Sequence, residues 1–297
     1  MPITTTANIT NLQEKVIGPA RRTLKDDVLA IKSSYEVIPG RPGMDDTYNS
    51  PKMPGVTAYG LTEGVDMVSE TLVDTNVAIS ATEVGVSVNL TEKMLRTVNG
   101  DMFLRNAGKA MGSAISVKQE QDFATMIDGY GTVVGLDGSA ATIGQLGAAL
   151  AQLRANAEPV NEAMFKDVSA LLHPYGWHDL SGQLFPTGEG TSHAPSTPQM
   201  NSANERVLKG YFPVGRYFGT PLKLSTNLVT SATDVRSGVF HKNSGLIYEF
   251  MLARLKVDDT DKSMRNVELN MIGDYGFGEI LDGHGREWDY DITAPTS

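Results

Sequence analysis

Residues 101–128, DMFLRNAGKAMGSAISVKQEQDFATMID, constrain the fold more than any other stretch. They hold no proline, and Leu104, Ala107, Met111, Ala114, Ile115, Phe123, Met126 and Ile127 recur at steps of three and four, the spacing of a helix stripe. At a rise of ~1.5 Å per residue the stretch predicts a rod of about 42 Å, well beyond the usual helix. Asn99-Gly100-Asp101 marks its start, with Asp101 as N-cap, and Gly129 marks its stop. Between the apolar ends, Lys118-Gln119-Glu120-Gln121-Asp122 is polar on nearly every face. A helix wetted in its middle predicts a spine that one domain packs against while part stays open to solvent or to neighbouring subunits. An ordinary long surface helix is the alternative.

The chain of 297 residues has room for one large or two smaller domains with real cores. An apolar share of 40% with 20% charged residues describes a globular chain and not a disordered one. The formal charge of −10, with no basic run longer than Arg21-Arg22, argues against sequence-reading nucleic-acid binding. Zero cysteines exclude disulfides, thiolate zinc sites and a cysteine nucleophile together. Residues 1–15 lack the apolar segment of a secretory signal, and no stretch approaches the run of about eighteen apolar residues that spans a membrane. The expectation is therefore no membrane and no secretion.

The segment 1–10 reads as a loose arm. Leu12, Val16, Leu24, Val28, Leu29 and Ile31 then mix with charges at helical spacing, broken by Gly18-Pro19, which predicts two short helices. Pro39, Pro42, Pro51 and Pro54, with Gly40, Gly43 and Gly55, predict an extended irregular link. Such a segment suits an arm reaching over a neighbour, and equally a cap on its own domain.

From Gly55 to Leu90 the chain reads as a long hairpin. Val56–Leu61 is one strand and Leu61–Asp66 the tip. Val73, Val77, Ile79 and Ala81 share one parity, whereas Val84, Val86, Val88 and Leu90 share the other, so a bulge or turn is expected near Glu83-Val84-Gly85. A hairpin so poor in bulky residues is marginal alone, and open edges invite pairing with another chain. It should lean on a sister copy, or else fold back on its own domain.

Catalytic motifs are few. Of five histidines, His173 and His178 lie five apart with Pro174 between them, which misses the helical face of a metal pair; cap and turn roles are expected. Asp259-Thr260-Asp261 opens like a calcium loop, but Met264 stands where glycine is needed and Asn270 where a bidentate glutamate is needed. No nucleophile elbow or phosphate-binding glycine–lysine pair is present, and no cofactor is expected. The Gly-, Pro- and Ser-rich segment 182–199 reads as a surface excursion or the lining of a subunit junction.

A helical arm, a hairpin around Thr62-Glu63-Gly64, the lead-in Val88-Asn89-Leu90-Thr91-Glu92-Lys93 and then a long spine resembles the order of phage major capsid proteins of the Hong Kong 97 type. The remainder continues the likeness: an amphipathic helix over Thr142–Asn156, with Ile143, Leu146, Ala149, Leu150 and Leu153 on one side, then Val168–Leu172 breaking at Pro174 into a helix with Trp177. Tyr217-Phe218-Gly219-Thr220-Pro221-Leu222 and Gly238–Leu246 look like two further strands, and Leu255–Ile280 like a late helix returning to a final strand at Tyr275-Gly276-Phe277-Gly278.

The resemblance implies an α+β fold with an N-arm at 1–50, an extended hairpin (E-loop) at 51–90, a P domain at 91–130 and 245–297, and an A domain at 131–244. It implies self-assembly as pentamers and hexamers into an icosahedral shell, built in the cytoplasm of a bacterial host, with portal and cement proteins as partners. A separate scaffolding protein is implied by the short segment before the hairpin. Hairpin residues Glu63, Gly64 and Asp66, arm residues Arg21 and Arg22, and spine residues Lys118 and Glu120 are the expected contacts with sister subunits. Packaged double-stranded DNA would be a non-specific neighbour, kept from sticking by negative charge. One departure is plain: no lysine lies between Lys52 and Lys93, so the hairpin cannot supply the nucleophile that covalently welds the namesake shell. An encapsulin-like nanocompartment, a histidine-dependent metallohydrolase using His173 and His178, and a tail-tube protein are the other readings.

Overall fold

The computed structural model describes residues 16–17, 19–20, 35–40, 43, 45–52, 58–67, 69–71, 75–91, 93, 100–155, 167–184, 216–217, 220–231, 233–258 and 266–295. Along the chain run β1 (Glu36–Pro39), β2 (Thr47–Lys52), β3 (Thr75–Ser80), β4 (Thr82–Thr91), α1 (Gly100–Ile127), β5 (Val133–Ala140), α2 (Ile143–Ala155), β6 (Val168–Leu172) and α3 (Pro174–Leu184). There follow β7 (Arg216–Tyr217), β8 (Thr220–Leu224), β9 (Val229–Ser231), β10 (Asp234–His241), β11 (Gly245–Asp258), β12 (Asn266–Glu279) and β13 (Gly285–Asp291). Helix and strand are both abundant, and the class is α+β. Two compact units result: Met1–Ser50, Val77–Phe123 and Leu246–Gly278 in the first, Pro51–Asn76, Ala124–Gly245 and Glu279–Ser297 in the second.

In the first unit a four-stranded sheet, ordered β1-β11-β12-β4, is covered by α1. The alternation on β4 decides which side faces the helix: Leu90 is buried and Val84, Val86 and Val88 half-buried, while the residues between them are exposed. Leu104, Met111 and Ile115 of α1 meet Leu90, Leu269 and Met271 in one core, joined by Val16 and Ala20 from the N-terminal segment. Those last two lie against Gly108 and Gly112, where the backbones approach closely. At least this part of the arm therefore caps its own spine. Further along α1, Phe123 receives the edge of the Tyr35 ring at 5.1 Å.

Four sequence expectations need correction. Residues 58–61 carry no strand; β3 is partnered by β2, in a two-stranded ribbon. Pro51 and Pro39, read as breakers, sit in short strands, and Pro39 ends the edge strand β1, where a missing N–H costs no ladder bond. The parity switch is real, but it falls at Ala81 as a change of partner: β3 pairs with β2, β4 with β12. Finally, no helix occupies the described part of Leu255–Ile280. β11 and β12 are long neighbouring strands, and Leu269, Met271, Gly273 and Tyr275 alternate inward as a strand requires.

The second unit holds a seven-stranded mixed sheet ordered β5-β13-β10-β6-β8-β7, with β9 added to β10. β13 is parallel to β5 and antiparallel to β10. The last strand thus lies among the strands of 131–244, whereas the sequence reading placed all of 245–297 with the spine. β6 is buried along its whole length, and Pro174 opens α3 at the helix position that tolerates a missing N–H. α2 starts with a capping box: the Thr142 Oγ1 accepts the Gln145 N–H at 3.1 Å, and the Thr142 N–H donates to Gln145 Oε1 at 3.0 Å. The Trp288 indole N–H reaches the same Gln145 oxygen at 3.3 Å, which ties α2 to β13.

Candidate assembly surface

The segment 58–67 carries no regular structure, yet it is shaped from within. The Val65 N–H donates to the Thr62 carbonyl at 3.2 Å, closing a tight turn, and Gly64 supplies the left-handed backbone at φ 82° that the turn needs. The Tyr59 hydroxyl donates to Glu70 Oε1 at 2.6 Å and ties the two limbs together. On this loop Leu61 is 73% exposed, Val65 67% and Met67 74%. Three large apolar side chains thus stand bare along this one loop.

Glu63, Gly64 and Asp66 are all exposed on this same loop, so the structure gathers them with the apolar trio. Lys118 and Glu120 belong to α1, in the other compact unit. Lys118 makes an ion pair with Asp122 at 2.6 Å, one helical turn on, and Glu120 is half-buried. Arg21 and Arg22 lie outside the described residues, as do His193 and the segment 185–199. Sequence reasoning picked the charged tip residues and passed over Leu61, Val65 and Met67. No local pattern marks these three as bare, because exposure depends on what the rest of the chain covers.

Among the described histidines, His173, His241 and His284 take structural posts. His173 caps α3: its Nδ1 accepts the Tyr175 N–H at 3.2 Å, its carbonyl accepts from Trp177 at 3.1 Å, and its own N–H donates to the Tyr290 hydroxyl at 2.7 Å. Burial lowers its pKa, which favours the neutral ring this cap requires. His178 is exposed beside Asp179. His241 Nδ1 accepts the Asn243 N–H at 3.1 Å, and its ring meets His284 edge-on at 6.0 Å. Among the described residues no three Asp, Glu or His side chains converge to hold a metal ion.

The chain aligns with the capsid of Ralstonia phage GP4 at a TM-score of 0.63, with 12% sequence identity, over 90% of this chain and 87% of that chain. The head structure of Helicobacter pylori bacteriophage KHP40 aligns at 0.63 with 9% identity, over 86% of this chain and 88% of that one. This chain has the phage capsid fold. A chain from Mycobacterium phage Che8 aligns at 0.61, with 15% identity over 88% of this chain and 87% of that one. No family model matches the sequence. No curated protein matches it either.

Proposed function

We propose that the chain is a major capsid protein of the Hong Kong 97 type, whose work is self-assembly into an icosahedral shell around phage DNA. The observation that carries this reading is the extent of the capsid match, which spans 86–90% of this chain and 87–88% of those chains. The bare loop tip supports it from a different direction, because Leu61, Val65 and Met67 gain stability only when something covers them. A sister subunit is the economical cover. The segments 1–50 and 51–90 act as arm and extended loop, and 131–244 as the domain that meets at the ring centres.

In such a shell every subunit is gripped by several others, so contacts that are weak singly act together. Rings of five and six need head-to-tail interfaces, in which one surface meets a different one on the next copy. The shell is held by packing and hydrogen bonds, without a lysine cross-link from the loop. A scaffolding protein, a portal and cement proteins are its partners, assembly takes place in the bacterial cytoplasm, and the role is structural and not catalytic. Negative-stain imaging of the expressed chain, alone and with its scaffolding partner, tests the proposal. Closed shells or capsomer-sized rings are expected. A monomer at high concentration, with segment 58–67 resistant to protease, would sink it.

A further inference from the structure

The final strand carries two unlike faces. Arg286, Trp288 and Tyr290 share one parity; Glu287, Asp289 and Asp291 share the other. The register sets Gly238, Arg236 and Asp234 of β10 opposite Glu287, Asp289 and Asp291, so four acids and one guanidinium occupy a single face. Gly238 is bare because a Cβ there would overlap the Ile127 side chain. The last turn of α1 is seated on that spot and delivers a fifth acid, Asp128. Arg236 Nη1 lies 2.5 Å from Asp128 Oδ1, and its Nε lies 3.6 Å from Glu287 Oε1. From β5, Asp137 adds its field at Asp289.

Some of these acids are already provided for. Asp234 Oδ1 accepts the Gly138 N–H at 2.6 Å, and Asp291 Oδ2 accepts the Thr293 hydroxyl at 2.7 Å, although Asp291 Oδ1 is buried without a partner. α2 meets β13 through Gln145 and Trp288, on the opposite parity. Glu287 and Asp289 are the pair in difficulty. They are 4% and 9% exposed, so water screens neither, and one Asp289 oxygen is buried without a partner. Their carboxyl groups are within hydrogen-bonding reach of each other, yet two carboxylates have no proton to offer. Arg236 is drawn first to Asp128, and no metal-holding cluster exists among the described residues.

We infer that Glu287 and Asp289 hold one proton between them at neutral pH, and that losing it in alkali loosens the seat of the α1 end and of β5 on this sheet. Burial pushes Glu287 up to about 8, with the Asp289 charge, its hydrogen bond and Asp128 adding and Arg236 opposing. Burial likewise raises Asp289. A carboxyl raised above its ordinary 4.5 supports the fold fully below that value, and the support is lost as pH rises through about 8. The pair titrates as a unit, so an amide at either position supplies the missing donor permanently.

The test is thermal unfolding of the full chain from about pH 6 to about pH 9, a span that brackets the shifted carboxyl. Wild type should lose several degrees across that range. Both E287Q and D289N should stay level and lie above wild type at the alkaline end. A level wild-type profile, or variants that decline in parallel with it, overturns the proposal. So does failure of both variants to fold, since either amide satisfies the hydrogen bond that the proton is said to provide.

Discussion

The Tyr275 hydroxyl on β12 donates a 2.9 Å hydrogen bond to Asp122 Oδ2 of α1, in the helix's polar middle. The other Asp122 oxygen accepts from Lys118 at 2.6 Å. The stretch that reads as fully wetted is thus partly turned inward, and Gln119 within it is buried. Burial first, then the Asp122 charge, drives the Tyr275 pKa far up, so the phenol remains a donor throughout the physiological range. Tyr275→Phe should cost about 1.5 kcal/mol, the lower end for a bond to a charged group, because Lys118 and water still serve Asp122. Denaturant unfolding of the purified chain measures this. The same substitution in an Asp122→Asn background should cost clearly less, as coupled partners require.

A second prediction concerns Gly112. A Cβ at this position would lie 2.5 Å from the Ala20 carbonyl oxygen, and the Gly108 position is tighter still against Val16. The neighbour is backbone, which cannot swing aside as a side chain does. Gly112→Ala should therefore push residues 16–20 off the helix and cost about 1–3 kcal/mol, the usual range for overpacking, despite alanine's better helix propensity. Faster trypsin cleavage at Arg21 or Arg22, with the rest of the chain still folded, is the expected signature. Unchanged cleavage would mean the arm is held elsewhere.

What the sequence disclosed, and what it hid, follows one division. α1 and α2 were legible to within a residue or two because their apolar period is local, although Asp101, read as the N-cap, lies inside α1, which begins at Gly100. Pro174 at the head of α3 was legible for the same reason. The partner of β3 was not: Pro51 in Thr47–Lys52 argued against a strand, and only the lone two-stranded ribbon makes it acceptable. Where a late helix is expected within Leu255–Ile280, the chain forms the end of β11 and then β12, whose inward alternation is diluted by Gly273, Gly276 and Gly278. The insertion of β13 between β5 and β10 has no local signal at all, because β10 and β5 lie far away in the chain. For the loop, sequence located Glu63, Gly64 and Asp66. It could not tell that Leu61, Val65 and Met67 beside them are bare, since exposure depends on what the remaining chain leaves uncovered.

Asp274 supports a third prediction. It lies directly opposite Glu83 across the β12–β4 ladder, and its Oδ1 is buried without a partner. Burial raises its pKa, Glu83 raises it further, and Arg254 opposes. A carboxyl raised in the fold opposes folding once the solution pH exceeds its ordinary value. Asp274→Asn should accordingly stabilise the chain at neutral pH by up to about 1 kcal/mol, the scale of a like-charge cross-strand pair. The gain should fade as pH falls into the carboxyl range, where wild type carries its own proton. Thermal midpoints at several pH values decide the matter, and a gain that persists in acid would trace the effect to something other than charge.

The loop supplies the last prediction. Leu61 and Met67 are more than 70% exposed, so the isolated fold gains little from them and their replacement should leave the monomer intact. Covering each in a shell is worth about 1.5–3 kcal/mol per side chain, and the benefit recurs at every subunit. A Leu61→Ser, Met67→Ser double variant should keep the wild-type unfolding midpoint as a monomer, yet shift sedimentation from shells to free subunits or small rings. Glu63→Gln and Asp66→Asn change charge without changing apolar area, so they separate the two contributions. A strong salt dependence of assembly that these amides abolish would assign the contact to charge. Intact shells from the serine variant, together with failure of the amide variant, would place the acidic tip residues above the apolar ones as the grip between copies.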